Sequence, residues 1–158
     1  MQREERVPRI DWPRKVEEVG FHFHTIDGEV YWDERACYRF SAAEIDKLEA
    51  ATGELQSRCI DAVGEVIAKG DYERFAIPEP FRKLIEQSWN DDEKSLYGRF
   101  DLSWDGHGEP KLLEYNADTP TALLEASVVQ WYWMKDVFPD ADQFNSIDRK
   151  STRLNSSH

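Results

Sequence analysis

Four polar residues able to bind a metal or an anion recur at two-residue spacing in Tyr97 to Pro120, YGRFDLSWDGHGEPKLLEYNADTP. Arg99 and Asp101 alternate with Phe100 and Leu102, and Glu114 and Asn116 alternate with Leu113 and Tyr115. A period of two places each polar set on one face of a strand. Asp105 to Pro110, which lies between the two runs, contains Gly106, Gly108 and a proline. That composition favours a turn, so the stretch reads as a β-hairpin.

The apolar pattern fixes a register, because a slip of one residue would set apolar positions against charged ones. Phe100 is then expected opposite Tyr115, and Leu102 opposite Leu113. The same register sets Asp101 opposite Glu114 and Arg99 opposite Asn116. Carboxylates facing each other across a strand pair, with Cβ atoms about 5 Å apart, destabilise a sheet. Their repulsion is about 1 kcal/mol in water and larger in a partly buried cleft. A divalent cation would reverse its sign. Asp101, Glu114 and Asn116 supply the hard oxygen ligands that Mg²⁺ takes, and Arg99 beside them can grip an anionic group bidentately. The competing reading is a sheet with one solvated face, charged for solubility alone. Solubility alone, however, would favour opposite charges at facing positions.

The elements that must carry this face are legible around it. Ser41 and Glu44 form a capping box, and Ile45, Leu48, Leu55, Cys59, Ala62 and Val66 recur at three- and four-residue steps. This predicts a long helix from Ser41 to Lys69 with Gly70 just past its end. Gly53 and Gly64 each weaken it by about 1 kcal/mol relative to Ala. Pro78 and Pro80 precede a shorter helix marked by Phe81, Leu84, Ile85 and Trp89, and Asn90 to Glu93 forms an acidic turn into the hairpin. Pro120 to about Val137 reads as a third helix, apolar on more than one side and rich in aromatics at Trp131, Tyr132 and Trp133. Thr119 followed by Pro120 would cap its start. Upstream, Met1 to Gly20 reads as a charged arm leading into a short helix. Phe21 to Trp32 reads as a hairpin about Asp27-Gly28, a type I′ turn signal. The expected class is α+β.

GRFD followed by LLEYNADTPT, together with the upstream run FHTIDGEVYWDERACYRF, resembles the motif blocks of the glutathionylspermidine synthase family. These are ATP-grasp ligases that join a carboxylate to an amine. The similarity extends from about Asp11 to about Val137, and it is to members built without an amidase domain. The resemblance implies the N-terminal portion of an ATP-grasp-type ligase using ATP and Mg²⁺, with small peptide or carboxylate and polyamine or amine substrates. It implies that Arg99, Asp101, Glu114 and Asn116 contact phosphate, substrate carboxylate and Mg²⁺. Arg99 is the implied catalytic group, Arg99 and Asp101 serve the nucleotide, and Asp101, Glu114 and Asn116 hold the metal. Thr119 falls where the family has a small hydroxyl residue near the peptide substrate.

Composition sets the outer limits. A chain of 158 residues, 40% hydrophobic and 13% aromatic, suits one globular domain. Its net charge of −12 argues against a nucleic-acid groove. No apolar run approaches the roughly 20 residues that span a bilayer, and Met1 to Gly20 lacks the apolar core of a signal peptide. A cytoplasmic location follows by default, with Cys37 and Cys59 expected to be free thiols. The last eleven residues, Asp148 to His158 (DRKSTRLNSSH), are basic, lack apolar periodicity and match the translation of a common sequencing-adapter read. They are read as a non-native tail, which makes residues 1–147 a truncated ligase fragment. Such a fragment is expected to be inactive by itself.

Other chemistries are weaker. His22 and His24 share one face of a predicted strand, but no third ligand stands at useful spacing. A Cys-His amidase would have to use Cys37 with one of the few histidines. A non-catalytic scaffold that keeps the fold is the remaining alternative.

Overall fold

The computed structural model describes residues 1–143. The tail at 148–158 lies outside the described residues. Two units are distinguished: Met1–Asp46 together with the segment from Pro120 onward, and Lys47–Thr119. Three two-stranded antiparallel sheets and four α-helices are found among the described residues. The mixed α+β class expected from the sequence is observed.

The first unit begins with strand β1 (Gln2–Glu5), then helix α1 (Trp12–Glu17), strands β2 (Thr25–Ile26) and β3 (Glu29–Val30), and strand β4 (Ala36–Arg39). β1 pairs with β4 in the register Gln2↔Arg39 to Glu5↔Ala36. The charged arm leads into a short helix as expected, and part of it is a strand. Its sequence, QREE, offers no apolar alternation to mark it. β2 and β3 close around Asp27 and Gly28 at φ 50° and 84°, the type I′ geometry the Asp-Gly pair predicts. The predicted hairpin is nevertheless much shorter than Phe21 to Trp32. The backbone N–H groups of Tyr31 and Trp32 both donate to the His24 carbonyl, at 2.9 and 3.0 Å, while Phe21 turns into the core.

That core is Phe21, Val16 and Val129, with Trp12, Val19, Trp32 and Leu124 packed around it. Val129 ends a π-helical turn, Glu125–Val129, which runs directly into α-helix Gln130–Val137. The aromatic-rich third helix is thus covered from the early-hairpin side. Its start differs from the sequence reading. Helical backbone begins at Leu123, not Pro120, because Ala122 sits in the left-handed region at φ 70°. Thr119 is consequently not its N-cap.

A buried ion pair ties this unit together. The Glu34 side chain is fully buried; it accepts Arg9 Nη2 at 2.6 Å, the Arg9 backbone N–H at 3.1 Å and Trp32 Nε1 at 3.2 Å. Arg9 Nη1 and Lys15 Nζ both donate to Asp136, at 2.8 and 2.6 Å.

The second unit is built on helix α2 (Ala42–Lys69), which starts in the first. Its predicted limits are observed. The Ser41 N–H donates to Glu44 Oε2 at 2.7 Å and the Glu44 N–H to Ser41 Oγ at 3.3 Å, forming the reciprocal capping box. At the far end Gly70, at φ 65°, donates to Ile67 O and Asp71 donates to Val66 O, a Schellman motif. Helix α3 (Glu79–Asn90) follows with Pro80 in its first turn. Strands β5 (Arg99–Ser103) and β6 (Lys111–Asn116) complete the unit. We designate Gln130–Val137 helix α4. No helix among the described residues is long and apolar enough to cross a membrane.

Candidate functional site

The predicted hairpin is present and antiparallel, with Arg99 opposite Asn116, Phe100 opposite Tyr115 and Asp101 opposite Glu114. Beyond Asp101 the register shifts, and Leu102 pairs with Leu112 rather than the expected Leu113. A bulge absorbs one residue of β6 at this point. Bulges bend a strand and re-aim its side chains, and they are common beside functional sites.

The apolar face holds the base of the hairpin in place. Phe100 and Tyr115 stack with ring centroids 4.1 Å apart, and the Tyr115 hydroxyl donates to Gln56 Oε1 of α2 at 2.6 Å. Gly98 lies beneath the Tyr115 ring, where a Cβ would stand 2.9 Å from Tyr115 Cε2. Glycine is needed there for close approach, not for its backbone freedom.

On the other face Arg99, Asp101 and Asn116 are half-buried, whereas Glu114 and Thr119 are exposed. Arg99 Nε donates to Asp101 Oδ1 at 2.7 Å and Nη2 to Oδ2 at 3.2 Å. This hydrogen bond, reinforced by the charges of Asp101 and Glu114, raises the guanidinium pKa above its ordinary value. The guanidinium thus supplies positive charge to the facing carboxylates. Asn116 Oδ1 accepts the Thr119 backbone N–H at 3.0 Å and folds the chain into a turn directly after β6.

The hairpin therefore brings Arg99, Asp101, Glu114 and Asn116 onto one face. Thr119 is held next to them through its main chain. A carboxylate offers about four lone-pair sites and an amide oxygen two, so the hydrogen bonds described leave acceptor capacity on Asp101 and Asn116. The donor chemistry fits Mg²⁺, which takes oxygen ligands and retains several waters. Among the described residues, no group of three or more histidine, cysteine or acidic side chains is placed to hold a metal. The set here contains two carboxylates and one amide.

Sequence reasoning missed Gln56 as the support of Tyr115, and it missed the Arg99–Asp101 pair. The second was signalled by opposite charges two residues apart on one strand face.

The remaining candidates recede. His24 is engaged by Thr25 Oγ1 at 2.9 Å and Glu17 Oε1 at 3.1 Å, with Trp12 edge-on to its ring. Cys37 and Cys59 are free thiols. Burial, followed by the charge of Glu4, pushes the Cys37 thiol pKa up, which works against a thiolate nucleophile at neutral pH.

The chain belongs to the glutathionylspermidine synthase preATP-grasp family, whose model matches residues 3–154. It is 46% identical over 144 residues to a Haemophilus influenzae protein named "Putative acid--amine ligase", covering 88% of this chain and 36% of that protein. It is 29% identical over 102 residues to the trypanothione synthetase of Crithidia fasciculata, covering 63% of this chain and 14% of that enzyme. The chain spans about a third of the first relative's length and a smaller share of the second.

Proposed function

We propose that the full-length protein is an ATP- and Mg²⁺-dependent carboxylate–amine ligase, with Arg99, Asp101, Glu114 and Asn116 forming one wall of its active site. The observation that carries this reading is the hairpin register, which puts the four residues on one face in a chain of this family. The name of the Haemophilus influenzae relative, an acid–amine ligase, supports an acid and an amine as substrates.

In the proposed reaction a carboxylate oxygen attacks the γ-phosphorus of ATP and ADP leaves, giving an acyl phosphate. An amine nitrogen then attacks the acyl carbon, phosphate leaves, the nitrogen loses a proton and an amide remains. Arg99 stabilises negative charge on the transferred phosphoryl oxygens, for which its planar fork is suited. Asp101, Glu114 and Asn116 hold Mg²⁺, which when bound neutralises phosphate charge. The Asn116-stabilised turn keeps Thr119 beside the same face, where its hydroxyl contacts the acid substrate.

The test is phosphate release by the protein expressed from the intact gene, across panels of acids and amines. Turnover that requires an acid, an amine, ATP and Mg²⁺ together supports the reading. A folded full-length protein that binds the substrates without turnover would favour the non-catalytic scaffold instead. The 158-residue chain alone is expected to release no phosphate.

A further inference from the structure

Two aspartates in the chain are followed directly by glycine, at Asp27-Gly28 and Asp105-Gly106. Glycine has no side chain to shield its amide nitrogen or to restrict the peptide before it, so that nitrogen can attack the neighbouring aspartyl side chain. The two pairs share this covalent chemistry, and the fold treats them differently.

Asp27 and Gly28 are the central residues of the β2–β3 turn, and both are exposed. Only two residue pairs, Thr25↔Val30 and Ile26↔Glu29, join the flanking strands. The Asp27 carboxylate makes no hydrogen bond or ion pair among the described residues. Closing a five-membered ring from Gly28 N to Asp27 Cγ requires Cβ and that nitrogen to eclipse about the Cα–C bond. For an L-residue this is ψ about −120°, the value of the first central residue of a type II′ turn. Asp27 already has φ 50°, the positive φ that types I′ and II′ share at this position. A flip of the one peptide plane between Asp27 and Gly28 therefore reaches the ring-closing geometry, and both turn types suit a two-residue hairpin. Gly28 takes up the accompanying change in its own φ without a steric penalty.

The second pair is held away from that geometry. The His107 N–H donates to Asp105 Oδ1 at 2.9 Å, so the side chain reaches forward past Gly106 in an Asx turn. The same bond lowers the Asp105 carboxyl pKa and keeps the group ionised, whereas its oxygen leaves as water only from the neutral acid. The Trp104 indole N–H fixes the rest of the tip by donating to the carbonyls of His107 and Gly108, at 2.9 and 3.3 Å. Gly106 itself is half-buried.

We infer that Asp27 is a site of spontaneous isoaspartate formation in the folded protein, and that Asp105 is protected from it. The Gly28 nitrogen attacks Asp27 Cγ; a C–N bond forms, a C–O bond breaks, and the amide proton leaves with the hydroxyl as water. Water then adds to one of the two carbonyls of the resulting succinimide. Breaking the bond between Gly28 N and the original main-chain carbonyl carbon gives isoaspartate, with the chain continued through Cβ and Cγ. Breaking the other C–N bond restores aspartate. Water is the only co-reactant, and no ligase activity is involved. The isoaspartyl form adds one main-chain atom to a loop whose two-residue length sets the Ile26↔Glu29 register. It also presents a free α-carboxylate to solvent, the group that a carboxyl methyltransferase specific for isoaspartate would recognise.

The experiment ages the full-length protein in warm neutral buffer, once folded and once in denaturant. Isoaspartate leaves the mass unchanged, so it is detected by methyl transfer from labelled S-adenosylmethionine with isoaspartyl methyltransferase. Electron-transfer fragmentation of the peptides then assigns it to position 27 or 105. In the folded protein it should accumulate at position 27 at least about tenfold faster than at position 105, because a carboxylate held elsewhere rarely reaches near-attack geometry. In denaturant, where neither turn persists, the two rates should converge. Equal rates in the folded protein, or a faster rate at position 105, would overturn the inference. So would the absence of isoaspartate from position 27 in the folded protein, whatever the denatured chain accumulates. A difference that persists unchanged in denaturant would also overturn it, since the cause would then be the neighbouring sequence and not the fold.

Discussion

Arg99 and Asp101 stand on the same face of strand β5, with the guanidinium Nε 2.7 Å from the Asp101 carboxylate. Glu114 occupies the facing position on β6. Arg99 is thus the positive member of a three-charge group, and its loss leaves two carboxylates opposed. Arg99→Met is expected to lower stability in low salt, and adding Glu114→Gln should restore it. Urea denaturation of the single and double variants, compared at low and high ionic strength, checks the coupling.

Asp101→Ala or Glu114→Ala in the full-length protein is expected to cut phosphate release by at least about a hundredfold, the scale found when one transition-state stabilising group is removed. The Mg²⁺ requirement should weaken in the same variants. Wild-type turnover in either one refutes the metal assignment.

Gly98→Ala should destabilise the chain by about 1–3 kcal/mol, as overpacking does. The new methyl group would meet the Tyr115 ring, which is already fixed by Phe100 and Gln56. Gly53→Ala is expected to act in the opposite sense. A Cβ there meets nothing within 4 Å, so the helix gains about 1 kcal/mol. Chemical denaturation of the pair should show opposite signs.

Arg9→Ala would leave Glu34 buried without its principal partner. A stability loss of about 3–5 kcal/mol is expected for an ion pair broken on one side in the interior. If thermal melts show a change below about 1 kcal/mol, the pair does not have that role.

The Met1 amino group, together with the Ser41 N–H and hydroxyl, holds the Glu44 carboxyl at about 2, below its usual 4.5. A carboxylate depressed in the folded state contributes stability above its unfolded value and loses it as pH falls through the folded one. The contribution should therefore be full above about pH 4.5 and fade toward pH 2. Glu44→Gln lacks the titration, so its melting temperature should fall less than that of the wild type across this window.

The sequence was most legible where chemistry alternated with bulk. Phe100 against Tyr115 fixed the base of the hairpin, and Asp101 against Glu114 followed without further information. The bulge was hidden because Leu112 and Leu113 are identical, so parity cannot say which of them faces Leu102. Capping signals at Ser41 and Gly70 located both ends of α2, since each is a local hydrogen-bond pattern. Thr119-Pro120 misled because the Asn116 side chain takes the Thr119 N–H into a turn. The helix then waits until Leu123, past the left-handed Ala122. Strand β1 and the burial of Glu34 were invisible for a common reason: a charged residue gives no sign of burial until its partner, here Arg9, is brought to it by the fold.

The bulge between Asp101 and Leu102 also divides the hairpin into a site side and a turn side. On the site side, pairing is locked by the aromatic stack and the Gln56 contact; on the turn side, the extra residue of β6 takes up any mismatch. A change of length in the tip from Asp105 to Pro110 is therefore expected to be absorbed at the bulge, which leaves Asp101 in its place opposite Glu114.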